Sequence, residues 1–591
     1  MFRVIDKLTS PRVSRNLPEH ESPKDLANLF ATFFSNKIKK LQDKLMTTAE
    51  IPVPMRADET CDSSLNEFVE VSEEDVLKAI KAASITSCPL DPLPVSTFKL
   101  CLDELLPRIT KIVNISLSSG KFPALLKHAR IVPLLKKPNA DINTLSNYRP
   151  ISNLAFLGKV IERFAVQQLH TYLGDNNLYA STQSAYRPFH SVETAIVKVQ
   201  NDILAALDKR EDALLVLLDF SAAFDLIDHR QLLDRLAARY GIQGKVHEWF
   251  ASYLSGRTQS VVVHNVTSDP VILECGVPQG SVAGPLAFTL FSAPLQNIIE
   301  SHGIKPVIYA DDAQLYLTFT PDKRLQAIKR IEACIADIRL WCQSNKLALN
   351  DSKTELIHFV SKFSKSSWKP SIKIGDTTIH PSTRARNLGV IMDSNLSMSD
   401  HVIKVCKGAL AGIRKIGHIR NYLTEDVTVK LVHAFVTSKL DSCNSLLFGL
   451  PDHEIQKVQR VQNTAARLVL RVSRRQHITP SLEKLHWLPV KQRSVYKILL
   501  LTYKALNGMA PEFISDLVQL YVPARVLRSS SECRLILPSS STKFYGDRSF
   551  AYAAASLWNS LPNCVRHSSS LGIFKSKLKT HLFIQHFSPA L

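Results

Sequence analysis

The chain has 591 residues, 45% of them apolar and 21% charged. That balance excludes a disordered or collagen-like polypeptide and leaves room for about three to five domains or subdomains. The net charge of +20 is uneven, with 46 basic and 43 acidic residues in 1–400 against 27 and 10 in 401–591, which points to a polyanionic partner held by the last third unless the excess only solubilises a face.

No stretch approaches ~18 uninterrupted apolar residues, so no membrane-spanning helix is expected. The start, MFRVIDKLTSPRVSR, has no apolar h-region of a secretory signal. Ten cysteines are scattered without a CxxC pair, and only Cys334 and Cys342 are fairly close. Free thiols in a reducing intracellular compartment are expected, not a disulfide framework or a Cys/His zinc site.

Leu26, Leu29, Phe30, Phe33, Phe34, Ile38 and Leu41 recur with helical spacing. A Pro-rich acidic loop, IPVPMRADETCDSS, follows. Ser72 with Asp75 reads as a capping box opening a helix with Val76, Ile80 and Ala83 inward, and SCPLDPLP ends it. Residues 97–128 are again helical in pattern. From about 129 the pattern changes to short apolar runs: ARIVPLL as a strand, a loop and strand to Leu154, then a helix over FLGKVIERFAVQQLHTYL. ALLVLLD, ending in Asp219, is a continuous apolar run suited to a buried central strand, and RQLLDRLAARY after it is helical. PVIYA and QLYLTF flank Asp311 and Asp312, which predicts a hairpin with both carboxylates at its tip. Residues 323–349 read as helix, 353–393 as strand pieces, and the chain beyond 400 as mostly helix. The fold class is therefore mixed α/β (α+β).

Asp219, Asp311 and Asp312 each stand where an apolar strand leaves the core. A divalent cation compensates such carboxylates. Mg²⁺ suits one or two carboxylates plus phosphate oxygens, and two ions ~3.5–4 Å apart can clamp a phosphoryl transfer. The plainer alternative is that these residues only form turns.

Seven segments in order carry a family resemblance: LLKKPN…NYRPISNL (134–154), QSAYRPFHSVETAI (183–196), DFSAAFDLIDH (219–229), GVPQGSVAGPLAF (276–288), YADDAQLY (309–316), NKLALNDSKTELIHF (345–359) and RNLGVIMD (386–393). Together they resemble the motifs of LINE-type (non-LTR) retrotransposon reverse transcriptases of the jockey and chicken-repeat kind. SCPLDPLP and LHWLPVKQRSVYKILLLTYKALNG (485–508) are similar to the flanks of those enzymes.

The resemblance implies a right-hand polymerase with fingers and palm around an antiparallel catalytic sheet, then a helical thumb. The expected division is 1–70 as a linker segment, 71–128 as a helical extension, 129–393 as fingers and palm, 394–450 as thumb and 451–591 as a basic C-terminal region. It implies RNA-directed DNA synthesis on an RNA template from a DNA primer with dNTPs, using two Mg²⁺ ions or Mn²⁺ in their place. Asp219, Asp311 and Asp312 match the metal-binding acids, and Lys353 the lysine that protonates leaving pyrophosphate. Phe224 takes the steric-gate position against a ribose 2′-hydroxyl. Gln279 and Gly280 face the template base and nucleotide, with Asp225 a polar-network residue. Lys136, Lys137 and Arg149 are the candidates for the triphosphate, and Arg187 either contacts template or braces the fingers.

In the last third, Val458, Val461, Ala465, Leu468 and Val472 follow one helical stripe, with Lys457, Arg460, Arg467, Arg471 and Arg474 beside it. That pattern predicts a helix over 457–475 with one packed side and one phosphate-binding side. Tyr521, Phe544, Tyr545, Phe550, Tyr552 and Trp558 lie among Arg and Lys, as core aromatics or as a base-stacking surface. No endonuclease, ribonuclease H or zinc-knuckle pattern is found, so an endonuclease is expected from an upstream region or another protein. Two other functions stay open at this stage: a non-catalytic nucleic-acid-binding remnant, and a splicing cofactor like group II intron maturases.

Overall fold

The computed structural model describes residues 17–48, 61–84, 88–137, 139–364, 368–375, 377–522 and 533–588, except for the side chains of 46–48. The chain start and most of the Pro-rich stretch after residue 50 lie outside the described residues.

Helix α1 (Pro23–Thr48) buries Leu26, Phe30 and Phe34 on one side, as their spacing requires, while Leu29 faces solvent. It lies on a sheet of β1 (His128–Leu135), β2 (Tyr148–Asn153) and β4 (Thr258–Val263), with β1 central, antiparallel to β2 and parallel to β4. Phe30 meets the edge of Tyr148 at 5.0 Å in this small core.

Before β1, helices α2 (Glu73–Ala82) and α3 (Leu102–Ser119) pack together. Ser72 is the N-cap of α2, its hydroxyl accepting from Asp75 N at 3.2 Å, and the Asp75 carboxylate accepts from that hydroxyl at 2.6 Å where a capping box would have it accept from the Ser72 N–H. In the proline-rich turn Asp91 accepts from Cys88 N at 3.0 Å and from Phe156 N at 2.6 Å. That turn thus caps helix α4 (Phe156–Asp175) from 65 residues away.

Helix α5 (Val192–Asp208) leads into β3 (Asp212–Leu218). Helices α6 (His229–Tyr240), α7 (Gly244–Leu254) and α8 (Ala283–Ser292) follow on either side of β4. Strands β5 (Lys305–Tyr309) and β6 (Asp312–Phe319) form the expected hairpin. With β7 (Glu355–Phe359) they complete an antiparallel sheet in the order β7–β3–β6–β5. Because β3 is central and covered on both faces, every second residue points to a different core, and both sets are apolar. Leu214, Val216 and Leu218 face α4, α7 and α8, while Ala213 and Leu215 face α5 and the C-terminal helices.

The helix expected over 323–349 is α9 (Arg324–Ser344), which ends five residues early. Lys346 turns into the left-handed region (φ 55°), and Ala348–Leu349 pairs instead with Phe220–Ser221 just after β3.

Beyond 393 the fold is helical: α10 (Ser399–Ile419), α11 (Glu425–Val432), α12 (Asp452–Leu470), α13 (Val490–Leu506), α14 (Phe550–Asn559) and α15 (Leu571–Phe587). They form one apolar core with α5 and the outer face of β3. Val458, Val461 and Ala465 are buried as the stripe requires. The helix expected to reach residue 475 stops at Leu470, however. Arg471 takes a left-handed conformation (φ 54°) and Val472 N returns to Arg467 O at 3.2 Å. Tyr545, Phe550 and Trp558 are core, whereas Tyr521 is exposed. All ten cysteines are free. Among the described residues no helix is long and apolar enough to cross a membrane.

Candidate active site

The β5–β6 turn has Ala310 and Asp311 as its two central residues, between the paired Tyr309 and Asp312. Ala310 stands in the left-handed region (φ 57°). A two-residue hairpin loop with positive φ at its first position normally takes glycine, so an alanine there stores strain. Gln183 holds it: its Oε1 accepts from Ala310 N and Ala185 N, both at 3.0 Å. Its own segment is tied to β5 through Ser184 N to Ile308 O at 2.8 Å and Ile308 N to Thr182 O at 3.0 Å.

The register pairs Leu218 of β3 with Ala313 of β6, which sets Asp219 across from Asp312 as the strands part. Burial, then the neighbouring Asp311 and Asp219 carboxylates, push Asp312 up to about 6. Asp311 is likewise raised, by burial first and by Asp219. Two acids that resist ionising beside a third carboxylate are short of positive charge. Lys353 supplies one such charge, its Nζ lying 2.9 Å from Asp219 Oδ2. Asn350 adds a donor to the same oxygen at 3.2 Å and bonds the Asp219 carbonyl through its N–H at 2.8 Å.

Among the described residues no three His, Cys, Asp or Glu side chains form a ready-made metal cage. An Mg²⁺ site does not require one, since that ion takes one or two carboxylates and completes its shell with water and phosphate oxygens. Asp311 and Asp312, whose ionisation is opposed by burial and by a neighbouring acid, fit such an ion.

Beside Asp219 opens a cavity of about 680 Å³ whose lining includes Lys136, Arg149, Asp225, Gln279, Asn350 and Lys353. Of the two candidate lysines, Lys136 lines it and Lys137 does not. Lys136 Nζ donates to Ser146 O at 2.7 Å. Its ammonium is held below the ordinary lysine range by burial and by Lys37, Lys353 and Arg149. On the floor, Gln279 Nε2 donates to both Asp225 oxygens, at 2.9 and 3.0 Å. Burial pushes Asp225 up to about 6.

The loop carrying Gln279 is fixed from both sides. Glu162 of α4, pushed up by burial, accepts from Val282 N at 2.6 Å and Ala283 N at 3.0 Å at the start of α8. Gly280 (φ +128°) leaves no space for a side chain, because a Cβ would lie 2.5 Å from Ser152 O. The glycine therefore admits the β2 backbone, which Ser152 N also bonds to Gln279 O at 3.0 Å. Phe224 stacks on Phe288 with centroids 4.9 Å apart and is not among the cavity's lining residues.

Arg187 is turned inward. It donates to Ala180 O at 2.7 Å and Gln183 O at 3.1 Å, and it lies 4.5 Å from the Tyr179 ring centre. It thereby braces the segment that holds Ala310. Tyr186 beside it is 49% exposed, and its phenol is raised by burial and by Asp311.

Of the basic residues near α12, Lys457 pairs with Glu454 at 2.7 Å, Arg467 donates to Gln476 O at 3.2 Å and Arg471 to Arg420 O at 3.3 Å. Arg460 and Arg474 are exposed, the first on the helix and the second on the loop after it. The five do not form one helical stripe, because Arg471 and Arg474 follow the helix end.

Sequence reasoning missed Asn350, Gln183 and the lysines of α1. Asn350 stands inside a motif that was read for its lysine. Gln183 opens another motif, but nothing in its spacing connects it to Ala310.

Residues 135–392 match the family model for reverse transcriptase (RNA-dependent DNA polymerase). The chain is 26% identical over 393 residues to a probable RNA-directed DNA polymerase from transposon BS of Drosophila melanogaster, covering 65% of this chain and 42% of that protein. It is 28% identical over 358 residues to an RNA-directed DNA polymerase from mobile element jockey of Drosophila funebris, covering 59% of this chain and 38% of that one. Against a probable RNA-directed DNA polymerase from transposon X-element of Drosophila melanogaster it is 25% identical over 460 residues, 77% of this chain and 48% of the other. The chain thus spans between 38% and 48% of these curated relatives' lengths. Residues 135–392 form a reverse transcriptase domain, similar in sequence to the polymerases of LINE-type (non-LTR) retrotransposons.

Proposed function

We propose that this chain is an RNA-directed DNA polymerase that extends a DNA primer on an RNA template. The observation that carries this reading is the register pairing of β3 and β6, which sets Asp219 across from Asp312 and near Asp311, with Asn350 and Lys353 linking Asp219 to a cation-lined cavity. In this reading 129–393 are fingers and palm, 394–450 the thumb and 451–591 a basic region for nucleic acid.

Asp219, Asp311 and Asp312 would hold two Mg²⁺ ions, which activate the primer 3′-hydroxyl and stabilise charge on the phosphates. Lys353 neutralises Asp219 before substrate binds and is the proton donor for leaving pyrophosphate. Lys136 and Arg149 orient the triphosphate as fixed cationic donors. Gln279, held by Asp225, supports the template side, and Phe224 with Phe288 behind it is the gate against a 2′-hydroxyl. Arg460 and Arg474 offer exposed charge to the backbone, with Lys457, Arg467 and Arg471 contributing from their partnered positions.

Purified protein with a primed RNA template, dNTPs and Mg²⁺ extends the primer on this reading. Asp311→Asn lowers extension by roughly 100-fold or more, the scale of several kcal/mol of lost transition-state stabilisation, and leaves template binding intact. Extension by that variant at the parent's rate overturns the assignment.

A further inference from the structure

The cavity beside Asp219 has a wall that the polymerase motifs do not supply. Lys37, Lys40 and Lys44 of α1 line it together with Lys136 and Arg149 of the β1–β2 hairpin and Lys353 before β7. Six cationic side chains drawn from three separate parts of the fold thus line about 680 Å³, and Asp225 is the single acid among the described lining residues. The charges are close enough to act on one another. The Lys37 ammonium contributes to depressing Lys136 and also lowers the Asp225 carboxyl against the larger effect of its burial. Like charges brought together from distant parts of a fold oppose folding unless a polyanion occupies the space between them.

The geometry points to α1 as part of the nucleotide site: Lys37 and Lys40 contact the β- and γ-phosphates of the incoming dNTP. This rests on the polymerase reading and extends it to a helix outside the matched domain.

Three observations favour a triphosphate over a passing template strand. The cavity is within the ~300–1,000 Å³ range of small-molecule sites. Its lining includes Asn350 and Lys353, the two side chains bonded to the Asp219 carboxylate, so an anion inside lies close to Asp219. A triphosphate also concentrates its charge among lysines drawn from three parts of the fold, as convergent cationic donors require. The helix is held for this task. Leu26, Phe30 and Phe34 bury its other side on the sheet that carries Lys136 and Arg149.

The test compares the parent with Lys37→Ala, Lys40→Ala and Lys37→Arg. Both lysines are exposed, so the variants fold. Steady-state extension gives KM for dNTP and kcat, and two equilibrium titrations give affinity for Mg-dATP against dAMP and for primer–template. Each alanine variant is expected to raise the dNTP KM by roughly 10-fold, the scale of one charge-assisted hydrogen bond. It also weakens dATP more than dAMP and leaves primer–template affinity unchanged, while Lys37→Arg keeps most of the parent's behaviour. Unchanged KM and dATP affinity overturn the inference. A loss confined to primer–template affinity overturns it too and makes this wall a template contact. If the parent fails to extend but binds dATP in a Lys37-dependent way, the phosphate site stands and the polymerase reading falls.

Discussion

Ala310 shows how much of the site depends on one backbone torsion. Its left-handed φ points the tip that carries Asp311, and a single side-chain oxygen of Gln183 receives its N–H. The run YADD makes the hairpin legible from sequence, because two apolar runs around a pair of acids have few other solutions. It does not show that the strain is held by a residue 127 positions earlier, since nothing in local spacing encodes that partner. Asp225 provides a test at the same scale. Its folded carboxyl titrates near 6, raised by burial, whereas an exposed Asp titrates near ~3.9. At this carboxyl the folded state therefore holds more proton than the unfolded one between about pH 4 and pH 6, and its contribution to stability falls as pH rises through that window. Asp225→Asn is expected to flatten this slope in urea melts at pH 4, 5 and 6. An unchanged slope would show that the proton is held elsewhere.

Elements were legible where apolar periodicity decided them. β3 has no polar residue between Ala213 and Leu218, and α1 keeps its heptad-like spacing, so both form as expected. The end of α12 was not legible. The apolar stripe runs on to Val472, yet Arg471 adopts the left-handed cap without the glycine that usually announces one. Helix termination here is set by tertiary contacts, with the Arg420 guanidinium bonding Leu468 O at 2.8 Å and Val469 O at 2.6 Å. Arg460 and Arg474 consequently carry the testable charge of this region. Replacing both by Glu is expected to weaken primer–template binding and to lower the slope of log affinity against log salt by roughly 1–2. If affinity and slope both stay put, that surface serves solubility alone.

Across the whole molecule, the basic C-terminal region belongs to the same core as the sheet. Composition marks it off from the rest of the chain, but the packing does not. Ser541 N and Thr542 Oγ1 donate to Asp208 at 2.8 and 2.7 Å, and Ala551 N donates to Asn201 Oδ1 at 3.0 Å. Glu193 at the start of α5 likewise pairs with Lys497 at 3.1 Å. A chain cut at residue 450 is therefore expected to aggregate or lose its cooperative thermal transition, because it uncovers the apolar side of α5. A soluble fragment melting at the parent's Tm would contradict the shared core.

The contact between Asn201 and Ala551 spans 350 residues. On a ribosome adding ~5–20 residues per second, the first partner waits on the order of 20–70 s for the second to be made. Throughout that interval β3, β6 and the helices before residue 450 are available to pack on α5, while the part of its face that α14 covers stays open. The yield of finished protein is then governed by what shields that face during translation, and synonymous codons that slow the ribosome late in the message lengthen the exposure.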